Sequence, residues 1–152
     1  MSTYIVEPLI SRLVSAHDAF DVSILMEQLR GITTNVGVDQ LVRMAGANYI
    51  AVAREGTGGG IIGMACLVTM DLPQGTRMLA ESVVVHKDHR RQGVGTALMQ
   101  ELINEARRRG DGHLTLTCNP MRVEARQLYS ALGFAPADTE VLRVPLSAGA
   151  DR

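Results

Sequence analysis

The stretch Val83-Val84-Val85-His86-Lys87-Asp88-His89-Arg90-Arg91-Gln92-Gly93-Val94-Gly95-Thr96 decides the fold. Three consecutive valines read as the end of a strand. From Val94 onward the pattern turns helical, with Ala97, Leu98, Leu102 and Ala106 on one face. Between them, His86 to Gln92 is a loop. A strand that delivers a glycine-containing turn to a helix N-terminus points several free N–H groups at one spot, with the positive end of the helix dipole behind them. That arrangement suits an anion. Gly93 and Gly95 carry no Cβ, so a pyrophosphate can approach the backbone, and Arg90 and Arg91 add local positive charge. The competing reading is that the glycines only permit a tight turn and the arginines are solvated.

The helix from Val94 runs to Arg109, where Arg107, Arg108 and Arg109 complement the negative helix end and Gly110 stops it. His113 to Cys118 is the next strand, ended by Pro120. Val123 to Leu132 is a helix stopped by Gly133, and Val141 to Pro145 is a last strand. On the N-terminal side, Leu9 to Val14 reads as a short strand. The helix Asp18 to Leu29 follows, its Ile24, Leu25, Gln28 and Leu29 forming a one-sided pattern closed by Gly31. Gly31 to Gly37 reads as a mobile loop before a short helix, Val38 to Met44. Tyr49 to Arg54 and Ile61 to Met70 form a hairpin about the glycine-rich turn Glu55 to Gly60. Asp71 to Gly75, with Pro73, leads to a third strand, Arg77 to Val85. This order predicts an α/β fold, a mixed central β-sheet flanked by helices. Residues 1–146 form one domain and 147–152 a flexible tail.

Composition removes several functions. The 152 residues carry a formal net charge of −1, so no overall cationic field attracts nucleic acid or an anionic membrane surface. With only Tyr4, Phe20, Tyr49, Tyr129 and Phe134 as aromatics, base stacking is poorly supplied and the core is aliphatic. No apolar run reaches the roughly 20 residues of a membrane helix. Cys66 and Cys118 lie in apolar segments without CxxC spacing and with no secretory signal ahead of them, which points to free thiols in a reducing cytoplasm. Lys87 is the only lysine beside fourteen arginines, and it follows His86 rather than a glycine. A Walker-type phosphate loop is therefore excluded.

Other motif-like strings dissolve on inspection. Gly58-Gly59-Gly60-Ile61-Ile62-Gly63 fits GxGxxG as text but precedes a strand, whereas the dinucleotide fingerprint needs strand, turn and helix in that order. His86 and His89 have HxxH spacing without a convincing third or fourth ligand beyond Asp88, so no metal is expected. No GxSxG nucleophile turn occurs.

Arg90-x-x-Gly93-x-Gly95 after a Val-rich strand resembles the acyl-CoA pyrophosphate loop of the GNAT N-acetyltransferase superfamily, with its Gln/Arg-x-x-Gly-x-Gly/Ala pattern. Ala125-Arg126-Gln127-Leu128-Tyr129-Ser130-Ala131-Leu132-Gly133-Phe134 resembles that family's C-terminal block, a helix ending in Leu-Gly-Phe. The resemblance is strong over Leu79 to Phe134 and in outline before that. It implies a single-domain N-acetyltransferase with the acyl-CoA N-acyltransferase fold and acetyl-CoA as cosubstrate, lying in a V-shaped gap between the strands Arg77 to Val85 and His113 to Cys118. It further implies that Val83, Val84 and Val85 pair with the pantetheine arm. Arg90, Arg91, Gln92, Gly93, Val94, Gly95 and Thr96 would hold the pyrophosphate. Tyr129 falls where the family protonates the departing thiolate, and Glu81 where many members keep a carboxylate that accepts the amine proton. The chain departs from the pattern in two places. Arg91 stands where the family often has Gly, and Arg122 where many members have Asn; Asn119, three residues earlier, is the substitute contact.

Elementary chemistry agrees with these roles. An amine with a pKa near 10 must lose a proton before attacking a thioester, and a thiolate with a pKa near 8.5 benefits from an O–H donor as it leaves. Glu81 shares a face with Val83 and Val85 if its strand is regular, and a bulge would alter that parity. The alternatives are a structural Glu81 paired with Arg77 and a Tyr129 that only packs in the core. The acceptor is a small-molecule amine or a peptide end, shaped in part by Gly31 to Gly37 and Ala135 to Glu140. A catalytically silent CoA-binding sensor is the competing function. An exposed sheet edge is also compatible with a homodimer.

Overall fold

The computed structural model describes residues 3–110 and 112–149. Its sheet has the order β1-β2-β3-β4-β5, with β1 Tyr4–Pro8, β2 Tyr49–Glu55, β3 Ile61–Leu72, β4 Gly75–Val85 and β5 Leu114–Thr115. The first four strands are antiparallel and β5 joins β4 in parallel, so the sheet is mixed. The helices are α1 Ala16–Arg30, α2 Val38–Ala47, α3 Val94–Arg109 and α4 Val123–Ala131.

Both faces of the central strands are covered, which is why they read as nearly continuous apolar runs. Along β2, Ala51 and Ala53 belong to the core under α3, whereas Ile50 and Val52 belong to the core under α1 and α2. Ala51, Ala53, Ala65 and Ala80 present small side chains to the large Leu98, Met99 and Leu102 of α3. Small residues on the sheet let the helix seat its bulky ones closely. On the other face Val22 and Leu25 of α1 are fully buried with Leu41 of α2.

The position of α1 is fixed at both ends. The Ser15 hydroxyl accepts the Asp18 N–H and the Asp18 carboxylate accepts the Ser15 N–H, each at 3.1 Å, which closes a capping box. Asp18 also accepts from the Arg54 guanidinium at 2.7 Å, and Arg54 reaches Glu7 at 2.7 Å, so the helix start is bonded to β2 and β1. At the other end Gly31 takes the left-handed conformation, φ 72°, and stops the helix.

Four expectations need correction. The first strand is Tyr4–Pro8 rather than Leu9 to Val14, where Ser11–Leu13 is a short 3-10 turn. The Tyr-Ile-Val run pairs with β2, with Tyr4 and Val6 on the core side, while Ile10 and Leu13 stay exposed. The strand around His113 to Cys118 shrinks to two residues, because pairing with β4 ends at Leu79 and Thr115 while β4 continues to Val85. Val141 to Pro145 forms no strand, and Val141, Leu142 and Val144 are exposed. Of the expected tail, residues 150–152 lie outside the described residues. Helix α1 starts two residues earlier than its apolar pattern, at the capping box.

Candidate active site

Where β4 continues past its partner, a cleft of about 490 Å³ opens between β4, the following loop and α4. Val83, Val84, Val85, Arg90, Arg91, Gly93, Val94, Gly95 and Thr96 line it, together with Tyr129. Gln92, Asn119 and Glu81 are not part of that lining.

The loop is built for turned-in amides. The His86 Nδ1 accepts the Asp88 N–H at 3.2 Å, and the His89 N–H donates to the His86 carbonyl at 2.8 Å, which coils the exit of β4. Arg91 and Gly93 then take left-handed backbones, φ 61° and φ 79°. Alternating backbone handedness of this kind gathers successive N–H groups into an anion-binding concavity. Gly93 is the N-cap of α3 and supplies no capping side chain, so the first-turn N–H groups face the cleft without an internal acceptor.

The two glycines have different duties. Gly93 is needed for its positive φ. At Gly95 a Cβ would stand 3.0 Å from Leu128 of α4, so this glycine sets the close approach of α3 to α4. The departure at Arg91 has a matching account, since an arginine here holds the left-handed conformation that glycine adopts freely.

Tyr129 projects from α4 with 8% exposure, its ring edge-on to Phe134 at 5.8 Å between centroids. Burial holds its hydroxyl above the ordinary tyrosine value, against an opposing pull from the Arg122 charge. It therefore stays protonated at neutral pH, as a proton donor must.

Glu81 stands elsewhere. The register Met64 to Val84 and Cys66 to Glu81 leaves Ser82 and Val83 opposite Ala65 alone, and Ser82 has φ 51°. This bulge reverses the alternation. Val83 and Val85 pack towards the α3 core, and Glu81 sits opposite Cys66 of the other core, with its side chain exposed. Regular alternation with Val83 and Val85 is thus broken at Ser82.

Asn119 is engaged locally. Its side-chain oxygen accepts the Met121 N–H at 2.9 Å and its carbonyl accepts the Arg122 N–H at 3.0 Å. Arg122, not Asn119, lines the cleft. Sequence reading also passed over Gln28 and His89, which line it too. Gln28 was visible as the polar member of an apolar stripe, and the His89 Nδ1 is buried without a partner. Among the described residues no group of three or more His, Cys, Asp or Glu could hold a metal. The Cys66 thiol is pushed up to about 11, mainly by burial and further by the Glu81 charge. No helix among the described residues is long and apolar enough to cross a membrane.

Residues 24–134 match the family model described as Acetyltransferase (GNAT) family. A ribosomal protein bS18-alanine N-acetyltransferase of Escherichia coli K12 is 39% identical over 56 residues, which span 37% of this chain and 38% of that relative. A streptothricin acetyltransferase of Streptomyces lavendulae is 37% identical over 59 residues, 39% of this chain and 31% of its own. The matched parts thus cover only about a third of these relatives' length. Over the whole fold, the chain is similar to a Clostridium acetobutylicum predicted acetyltransferase crystallised with acetyl-CoA, with a TM-score of 0.70, 22% identity, and coverage of 95% of this chain and 97% of that one.

Proposed function

The chain belongs to the acetyltransferase (GNAT) family, and from that membership we propose that it transfers the acetyl group of acetyl-CoA to an amine by direct attack. The observation that carries the reading is the shared cleft: the left-handed Arg91 and Gly93 turn, the uncapped start of α3 and the Tyr129 side chain all open onto it. The turn and the α3 N-terminus receive the pyrophosphate. The open edge of Val83 to Val85 pairs with the pantetheine arm, which brings the thioester towards Tyr129.

The amine nitrogen forms its bond to the thioester carbonyl carbon, and the C–S bond then breaks. Tyr129 supplies the proton that the thiolate sulfur takes up. Glu81, exposed and one residue ahead of the Ser82 bulge, takes the amine proton through water. A cysteine intermediate is disfavoured. Cys66 is 7% exposed with a raised thiol pKa, and thiolate chemistry needs the opposite setting. The acceptor is an aliphatic amine, either a small molecule or a peptide end. The two relatives compared above act, by their names, on a protein alanine and on streptothricin.

The test is a screen of amines and peptides that follows release of free CoA thiol. An acceptor whose turnover collapses in Tyr129→Phe while CoA affinity holds supports the proposal. CoA binding with no turnover on any acceptor would favour a silent CoA-binding module.

A further inference from the structure

Gln28 lies on the same stripe of α1 as the buried Leu25, yet its carboxamide leaves the helix and bonds twice to the backbone beyond the last pairing of β4 with β5. Its Nε2 donates to the Val85 carbonyl at 2.7 Å, and its Oε1 accepts the Lys87 N–H at 2.8 Å. The side chain lines the cleft.

The direction of these bonds is informative. The His86 N–H donates to the Ile62 carbonyl of β3 at 2.7 Å, so residues 84 and 86 turn their amides inward to the sheet. Val85 and Lys87 alternate and turn theirs to the open edge, where β5 has stopped. A residue of a parallel strand takes the C=O of residue i and the N–H of residue i+2 on its neighbour. Gln28 takes those two groups. Its carboxamide therefore stands in for one residue of a parallel strand, placed where the edge meets the anion-binding turn.

We propose that Gln28 is a positioning residue that ends the backbone track for the pantetheine arm. It occupies the Val85 carbonyl and leaves the Val85 N–H as the last open group on that edge. The inference rests on the acetyl-CoA reading above. Gln28 thereby sets how far the arm can slide along β4 before the phosphates enter the turn. The other end of α1 is tied to β2 by the Asp18–Arg54 pair at 2.7 Å, which holds the helix against the sheet.

The test compares calorimetric binding of CoA and of 3′,5′-ADP, which has the nucleotide phosphates but no pantetheine, in wild type, Gln28→Leu and Gln28→Glu. Gln28→Glu keeps an acceptor for Lys87 but has no donor for Val85. The expected result is CoA binding weakened about tenfold in both variants, because the edge that presents the Val85 N–H is no longer held in place for the arm, with 3′,5′-ADP binding unchanged. Unchanged CoA binding in both variants overturns the proposal. So does an equal loss for both ligands, which would mean that the variants only loosen the fold. If wild type binds neither ligand, the acetyl-CoA reading itself fails, and that outcome is distinct from the others.

Discussion

The Arg91 guanidinium meets the Glu124 carboxylate at 3.0 Å, joining the turn ahead of α3 to the first turn of α4. Both side chains are largely exposed, at 84% and 69%, so the pair adds little to stability. Its consequence is local, because Glu124 competes with any anion for Arg91. In Glu124→Gln, CoA affinity should rise about twofold to fivefold at low salt and the gain should shrink at high salt, with an unchanged melting temperature. Calorimetric titration at two ionic strengths checks this.

Tyr129→Phe removes the donor and keeps the ring that packs edge-on against Phe134. Turnover should fall on the order of 100-fold while CoA affinity and stability stay close to wild type. Since burial holds the Tyr129 hydroxyl above the ordinary tyrosine value, this group should add no alkaline limb near neutral pH. A pH-rate profile reads that directly.

Asp18 is 4% exposed and joins the capping box to Arg54. Burial pushes its carboxyl up, but hydrogen bonds from Arg54 and Ser15 and the Arg54 charge outweigh that and leave it below the ordinary aspartate value. The stabilising contribution is therefore complete above the unfolded pKa of about 3.9 and is lost as pH falls through the lower folded value. Asp18→Ala should cost about 1–3 kcal/mol at neutral pH, because it removes the capping box and one of the two carboxylates that hold Arg54. Urea unfolding of wild type and variant, at pH 7 and below pH 4, should show the gap closing in acid.

Cys66 should resist alkylation at pH 8, where a thiol pushed up to about 11 is almost entirely protonated and is also buried. Cys118, half-buried, should react first. Cys66→Ala should retain acetyl transfer, whereas its loss would indicate a thioester intermediate. Mass spectrometry after iodoacetamide, with the turnover assay, separates these outcomes.

The parts of the fold that sequence reading reached are those with repeated local signals. Helix α3 has a long apolar face, an arginine-rich end and a terminal glycine, and it runs from Val94 to Arg109 as expected. The β2–β3 hairpin is equally plain, with its glycines in the turn. Long-range pairing defeated the same reasoning elsewhere. The run Leu9 to Val14 reads as a strand by local pattern, but it is Tyr4–Pro8 that finds a partner in β2. The Ser82 bulge, which reverses the side chains of β4, is invisible without the register against β3. Gln28 was legible only as a polar intruder in an apolar stripe, since its partners lie 57 and 59 residues away.

If the turn from Arg90 to Thr96 receives the pyrophosphate of acetyl-CoA, Gly93→Val should abolish that binding. Valine at φ 79° strains the turn that presents the amides, and its Cβ would stand 3.5 Å from the Tyr4 hydroxyl. Calorimetric titration with acetyl-CoA should show binding to wild type and a loss of at least tenfold in a variant whose circular dichroism shows it folded. Equal affinity in the two proteins would contradict the account.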